Sequence, residues 1–332
     1  MGLSSDIRQY MPVEELEEKD LIGKTVAVDT FNYLYQFLSA IRTQNGDLLE
    51  RNGVVVSHLY GILWKFGRLL ANGTKLIFVF DGKPSADKQL ILEERREQKE
   101  KIMEEIEIAK MEGNEKEVAK LQRLTAKVDN SIIDSTKTLA KFLGISYIDA
   151  PEEGEAEAVH LVKTGFADYV ATQDYDVIAY GCRSILRNIG VRKGKKFLKI
   201  NLVDAEKVFK IMEISQDQFL YVAFMTGTDY NYGIKNVGIK RALKIAKQAN
   251  TNQELVDLLI KNGYVQEEER ENVLRELENV MSHFKHPNVV DGSNIVHNSF
   301  DKEGLISFLR NLNFNVDRFM PMIDKISAVS NH

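Results

Sequence analysis

Apolar and polar positions along this chain alternate between two patterns. Short runs rich in β-branched and aromatic residues occur at Thr25–Asp29, Lys75–Phe80, Ile145–Asp149 and Tyr169–Thr172. Their length and composition predict buried strands. Between them, apolar residues recur at helical spacing over 31–41, 58–70 (closed by Asn72-Gly73) and 129–142. A further helix begins near Glu153, and shorter strands are predicted at 184–187 and 197–200. After Val203 the pattern is helical almost throughout, punctuated by Gly227, Gly233 and Gly238, with a Glu-rich helix over 266–281. Strands alternating with helices predict an α/β fold with a mostly parallel sheet and right-handed crossovers.

One stretch breaks the rhythm. From Ala86 to Val128 the composition shifts to Glu, Lys, Arg and Gln, strong helix formers, with a break at Gly113-Asn114. This predicts a pair of long, mostly solvated helices projecting from the sheet. A plain charged surface excursion fits the segment by itself equally well.

Acidic residues gather where the predicted strands end. Asp29 and Asp81 terminate the first two, Glu153 and Glu155 lie just past the third, and Asp174 and Asp176 just past the fourth. One such acid is ordinary turn chemistry, but four strand ends carrying them point to a site, because functional groups in open parallel sheets collect beyond the strands' carboxyl ends. Carboxylates crowded there repel one another unless cations intervene, and hard oxygen ligands suit magnesium or manganese. Two divalent ions roughly 3.5–4 Å apart would clamp the attacking and leaving oxygens of a phosphodiester displacement. Spacing leaves one ambiguity: on a regular helix Glu153 and Glu157 share a face and Glu155 does not, whereas an irregular entry at Gly154 would let Glu153 and Glu155 converge. Glu152 is expected to complement the helix N-terminus. Asp229, in Met225-Thr-Gly-Thr-Asp-Tyr230, is a seventh candidate acid. Next, Gly233 to Leu243 reads as a glycine turn opening into a basic helix, suited to a phosphate and equally to a packing corner.

Composition narrows the alternatives. At 332 residues, 44% hydrophobic and 28% charged, the chain reads as soluble and globular. It has no apolar run near the roughly 20 residues that cross a bilayer. Met-Gly-Leu-Ser-Ser-Asp lacks the features of a secretion signal, and a lone Cys182 excludes an intrachain disulfide and fits a reducing compartment. The net charge of −5 argues against a nucleic-acid partner only in bulk, since the acidic cup would be neutralised by its ions and the placement of Lys and Arg decides. The six histidines show no His-Glu-x-x-His spacing, and a Gly-x-x-x-x-Gly-Lys-Ser/Thr loop is missing, which disfavours nucleotide triphosphate hydrolysis.

Several motifs together resemble the structure-specific 5′ nucleases, in particular the archaeal flap endonuclease branch. They are Asp29-Thr-Phe-Asn-Tyr-Leu-Tyr-Gln-Phe-Leu38, Phe80-Asp-Gly-Lys-Pro84, Ala150-Pro-Glu-Glu-Gly-Glu155, Ala171-Thr-Gln-Asp-Tyr-Asp176 and Gly227-Thr-Asp-Tyr230. The resemblance runs from Met1 to about residue 250. It implies a PIN-like α/β nuclease core (1–85 and 129–229), a helical arch insertion (86–128) and a helix–two-turn–helix C-terminal region (230–332). The implied activity is cleavage of 5′ flaps, with 5′-3′ exonuclease action, in Okazaki-fragment maturation and repair. By position, the metal acids would be Asp29, Asp81, Glu153, Glu155, Asp174, Asp176 and Asp229, which settles the glutamate question in favour of 153 and 155. Lys88 and Arg95 match catalytic basic residues, with Arg96 as a helper. Tyr35 matches the aromatic that stacks on a nucleobase beside the cut. Gly2 and Arg42 match DNA-contacting positions, and Gly233, Lys235, Gly238, Lys240 and Arg241 match the duplex grip built around a potassium ion. The resemblance also implies two magnesium ions, with manganese as a substitute, branched DNA as partner, and a monomer in a cytoplasmic, nucleoid-associated setting.

The chain departs from the family pattern at Gln173, where Glu is usual, and at Asn236 and Ile239, where Gly and Pro are usual. Asp324 to His332 lacks the Gln-x-x-aliphatic-x-x-aromatic-aromatic hook for a sliding clamp, so clamp binding is not expected from these residues. A sister exonuclease or junction resolvase is the nearest alternative, although the short arch argues against excision-type relatives with a far longer insert. A dehalogenase-like phosphatase needs its Asp pair directly after the first strand, which Asp29-Thr-Phe does not supply. An inactive DNA-binding scaffold would have no use for seven acids beside DNA.

Overall fold

The computed structural model describes residues 5–85, 88–193 and 196–330. In chain order its elements begin with β1 (Glu14–Leu16), β2 (Thr25–Asp29), α1 (Thr30–Ala40), the hairpin β3 (Glu50–Arg51) and β4 (Val54–Val55), α2 (Ser57–Ala71) and β5 (Lys75–Phe80). Two helices then leave the sheet, α3 (Gln89–Met111) and α4 (Glu115–Gln122), before α5 (Asn130–Leu143), β6 (Ser146–Asp149), α6 (Gly154–Lys163), β7 (Tyr169–Ala171), α7 (Asp176–Ala179) and β8 (Ile185–Arg187). A hairpin of β9 (Arg192–Lys193) and β10 (Lys196–Phe197) leads to β11 (Ile200–Val203). The rest is helical: α8 (Ala205–Met212), α9 (Gln216–Thr226), α10 (Ile239–Ala246), α11 (Asn252–Lys261), α12 (Arg270–Lys285), α13 (Lys302–Asn311) and α14 (Met320–Ser330).

The main sheet runs β1-β11-β8-β7-β2-β5-β6. The five strands from β8 to β6 are parallel, and β11 and β1 close one edge antiparallel. β2 is central, with Ala27 opposite both Ile77 and Val170. Its alternate residues serve two cores: Val26 and Val28 join Phe66, Phe78 and Leu63 on one face, while Ala27 joins Ile77, Val79 and Val170 on the other. Burial on both faces is why these strands read as continuous apolar runs. It also forces the crossover helices to either side and leaves the carboxyl ends open.

Most predicted elements are present within a residue or two. The strand expected at 197–200 is instead divided: β10 ends at Phe197 in its hairpin, and β11 starts at Ile200 on the main sheet. Antiparallel edge strands are defined by their partners, so the local pattern blurred them; β1 and the β3–β4 hairpin escaped for the same reason. The pair of long arch helices is also corrected. α3 spans 23 residues, but α4 has only 8. Gly113 ends α3 in a left-handed conformation at φ 68°, and Asn114 caps α4 by accepting from the Glu117 amide. Val118 and Leu121 of α4 pack on Ile106 and Ala109 of α3, a small core of the arch's own. The Glu-rich helix starts at Arg270, four residues later than predicted, after a 3₁₀ turn at 267–269. Past α12 the chain returns along the free edge of β6, where Tyr147 and Val296 exchange backbone hydrogen bonds and the Asn298 amide donates to the Ile145 carbonyl at 2.7 Å. This strap covers an edge that would otherwise expose unpaired backbone groups.

α1, which ends up beside the site, is set by an aromatic cluster of Tyr33, Phe37 and Phe66. α2 approaches it through Gly61, where an added Cβ would lie 2.2 Å from the Phe37 ring. Gly61→Ala is therefore expected to destabilise the fold by about 1–3 kcal/mol through overpacking, read as a lower midpoint in urea unfolding.

Candidate active site

β2 delivers Asp29 to the carboxyl edge of the sheet, where it is 97% removed from solvent. As the N-cap of α1, its Oδ1 accepts from the Asn32 amide at 3.2 Å, and its Oδ2 accepts from the Thr172 hydroxyl at 2.8 Å. Asp81, just past β5, accepts from the Gly154 amide at 2.8 Å. An added Cβ at Gly154 would lie 2.5 Å from that Asp81 oxygen, so only glycine permits the approach. Glu153 caps α6 and Glu155 stands in its first turn; Asp174 follows β7, Asp176 opens α7, and Asp229 follows α9.

All seven acids line one cavity of about 500 Å³, together with Lys88, Asn32, Tyr35 and Gln36. Oxygens of Asp29, Glu155 and Asp174 lie within 4.8 Å of one another. The irregular entry to α6 thus brings Glu153 and Glu155 to the same side. Glu157 is fully buried elsewhere, accepting from the Val290 amide at 2.9 Å, and Glu152 accepts from the Asn288 side chain rather than serving the helix end alone.

Electrostatics show how crowded the cluster is. Burial, then repulsion from Asp81 and Asp174, raises the Asp29 carboxyl from 3.8 to about 7. Burial and Glu153 raise Asp81 to about 6. Burial, followed by Asp29, Asp174 and Asp176, holds Glu155 well above the usual carboxylate range. Lys88 at the foot of the arch reaches Glu153 at 2.6 Å and Asp229 at 3.3 Å. Its own burial opposes protonation, but these two carboxylates outweigh that and keep it charged. Among the described residues lining the cavity one ammonium faces seven acids, and oxygen-only, mutually repelling carboxylates fit hard divalent cations.

The other expected residues divide. Tyr35 is 40% exposed on the α1 face at the cavity, with the Lys99 ammonium 5.7 Å from its ring centre. Arg96 points outward and pairs with Glu100 one turn along α3. Arg42 is turned onto the chain: its guanidinium donates to the carbonyls of Leu38 and Gly46 at 2.7 and 2.8 Å. Gly2 and the side chain of Arg95 lie outside the described residues. Beyond Asp229, Gly233 at φ 76° packs against the α9 terminus, and Asn236 takes a left-handed conformation at φ 64°. Gly238 and Ile239 open α10, and Arg241 donates to the Asn236 carbonyl at 2.7 Å. Lys235, Lys240 and Arg241 are exposed, the latter two beside a groove that Gln9 also lines. Sequence reasoning missed Asn32 and Thr172, which hydrogen-bond the acids, and Gln36, which bonds Asn32. Their only signal was proximity to Asp29 and Asp174, and amide and hydroxyl side chains at such spacing are common elsewhere.

The raised Asp29 value has a stability consequence with a definite sign. The folded state holds this proton more tightly than the unfolded chain, so the stability present below pH 3.8 is lost as pH rises through about 7. In chelator, Asp29→Asn should match the parent near pH 4 and exceed it at pH 8 by on the order of a few kcal/mol in urea unfolding. Magnesium should narrow that gap at pH 8.

Residues 1–102 match the family model for the XPG N-terminal domain, and residues 144–229 match the XPG I-region. A protein of Methanosarcina barkeri named flap endonuclease 1 is 36% identical, covering 99% of this chain and 97% of its own. The solved flap endonuclease-1 from Methanococcus jannaschii superposes with a TM-score of 0.71 at 31% identity over 99% of both chains. The catalytic core of Rad2, solved with a DNA substrate, shares the fold at a TM-score of 0.71 and 21% identity, covering 97% of this chain and 98% of that one. With both XPG regions matched and a relative similar from end to end, this chain belongs to the flap endonuclease family.

Proposed function

We infer that the chain is a metal-dependent, structure-specific 5′ flap endonuclease with 5′-3′ exonuclease activity, hydrolysing DNA phosphodiesters at single-strand/double-strand junctions in Okazaki-fragment maturation and repair. The observation that carries this reading is the convergence of Asp29, Glu155 and Asp174 oxygens within 4.8 Å, in a cavity that Asp81, Glu153, Asp176, Asp229, Lys88 and Tyr35 also line. Asp29, Asp81, Glu153, Glu155, Asp174, Asp176 and Asp229 would hold two divalent ions, magnesium or its substitute manganese, which supply Lewis acidity and a nucleophilic water at neutral pH.

The chain's own groups do the remaining work. Lys88, already charged and within reach of the acids, stabilises charge developing on the scissile phosphate, and Arg95 on the following helix is assigned the same task. Arg96, on the outer face of α3, guides the strand from a distance. Tyr35 offers an exposed ring on which the base beside the cut can stack. Arg42 acts indirectly by shaping the 42–47 loop, which meets the arch where the Gln122 amide donates to Asp47 at 3.0 Å. Gly2 is assigned to DNA contact as well.

The turns after Asp229 form the duplex grip. Gly233 and Gly238 let the backbone approach a phosphate, the α10 N-terminus presents its amides, and Lys235, Lys240 and Arg241 supply charge. The left-handed Asn236 replaces a glycine without disturbing the turn, which supports a potassium ion there. The proposed division is a nuclease core of 1–85 and 129–229, an arch of 86–128 and a grip and buttress of 230–332. The protein is proposed to act as a cytoplasmic, nucleoid-associated monomer on branched DNA; among the described residues no helix is long and apolar enough to cross a membrane.

Gel analysis of a labelled double-flap substrate tests this. Cleavage should require magnesium and vanish in chelator, and Asp176→Ala should lower its rate by at least ~10³-fold while flap binding persists. An Asp176→Ala variant that cuts at the parental rate overturns the metal assignment. Removing both Lys240 and Arg241 should weaken duplex binding uniformly and reduce the salt slope by about 2.

A further inference from the structure

Within the same cavity, Asn32 stands between two of the three convergent acids. Its backbone amide donates to Asp29 Oδ1 at 3.2 Å, and its side-chain Nδ2 donates to Asp174 Oδ2 at 2.6 Å. The orientation of that amide is set independently of any acid. Asn32 Oδ1 accepts from the Gln173 backbone N–H at 3.3 Å, a group that can only donate, and from Gln36 Nε2, one helical turn away, at 2.7 Å. With the oxygen so committed, Nδ2 has to face Asp174.

We propose that Asn32 is a positioning residue for metal binding, held by Gln36 and the Gln173 amide so that it occupies one oxygen of Asp174 and one of Asp29 and leaves the opposite lone pairs for a divalent cation. Asp29 is doubly constrained, since Thr172 takes its other oxygen along one direction only. Asp174 has greater need of the support: it is exposed, lies past the strand end in no regular element, and would otherwise rotate away from Asp29 and Glu155 under their repulsion. Partners of this kind, behind the ligating atoms, commonly set affinity by 10–100-fold. The location on α1 also matters. Tyr35 and Gln36 of the same helix line the cavity, so the face proposed to meet DNA also orients a metal acid.

This inference rests on the metal-site reading of the cavity, and the experiment separates the two. Mn²⁺ binding is measured by electron paramagnetic resonance or calorimetry, without DNA, on the full chain, with urea stability in chelator as a companion. Asn32→Ala should bind Mn²⁺ about 10-fold or more weakly with little change in chelator stability. Gln36→Ala should show a smaller loss in the same direction, and the double variant should be no weaker than Asn32→Ala alone, because Gln36 acts through Asn32. If the parent binds Mn²⁺ and Asn32→Ala binds it equally well, the positioning role is overturned while the metal site stands. If Asn32→Ala does not fold, parental affinity in Gln36→Ala overturns it instead. A parent that binds no Mn²⁺ overturns both readings.

Discussion

Mutual repulsion among buried carboxylates is the constraint to which the rest of this structure answers. Asp29, Asp81 and Glu155 are brought to one edge by strands and a helix whose apolar faces are buried on both sides of the sheet. The packing of those cores holds the acids together against charge, and burial first, then repulsion between neighbours, raises all three carboxyls above their ordinary values. A cluster of this sort is costly in isolation, and the divalent cations proposed for it would offset that cost.

Small local devices give that cluster its shape. Gly154 admits the Asp81 carboxylate to a helix N-terminus that a side chain would block. Thr172 and Asn32 take up particular lone pairs, leaving others free. Lys88 is placed so that one cation belongs to the protein, at the foot of the segment proposed to admit the strand. The arch is a folded unit with a core of its own, tied back to the 42–47 loop rather than simply projecting into solvent. Its position over the cavity therefore depends on contacts far apart in sequence.

Short connections also link the acidic cavity to the proposed duplex grip. From the end of α9, only a few residues separate Asp229 in the cavity from the turns at Gly233 and Gly238. If α10 grips the duplex as proposed, this short connection would register the substrate against the acids. The C-terminal helices α13 and α14 return to pack on α5 and α2, whereas α10 packs on α9 in the core on the other face of the sheet.

The local chemistry of the residues determined the central strands, the flanking helices and the set of acids, because two-sided burial leaves an unbroken apolar run and strand-end acids stand out against it. The motif resemblance extended this to Lys88 and Tyr35. What local pattern left open was whatever depends on a partner distant in sequence. The edge strands β1 and β11 exist through pairing, and α4 is short because Gly113 and Asn114 set its start and a 3₁₀ turn at Arg123–Thr125 follows it. Spacing alone left Glu155 and Glu157 as rivals; the tertiary structure directs one to the cavity and the other to Val290. Asn32 became visible as a partner of Asp174 only once a separation of 142 positions was folded into contact. A hydrogen bond across that separation has no signature in periodicity, since its geometry is created where the first turn of α1 meets the loop after β7.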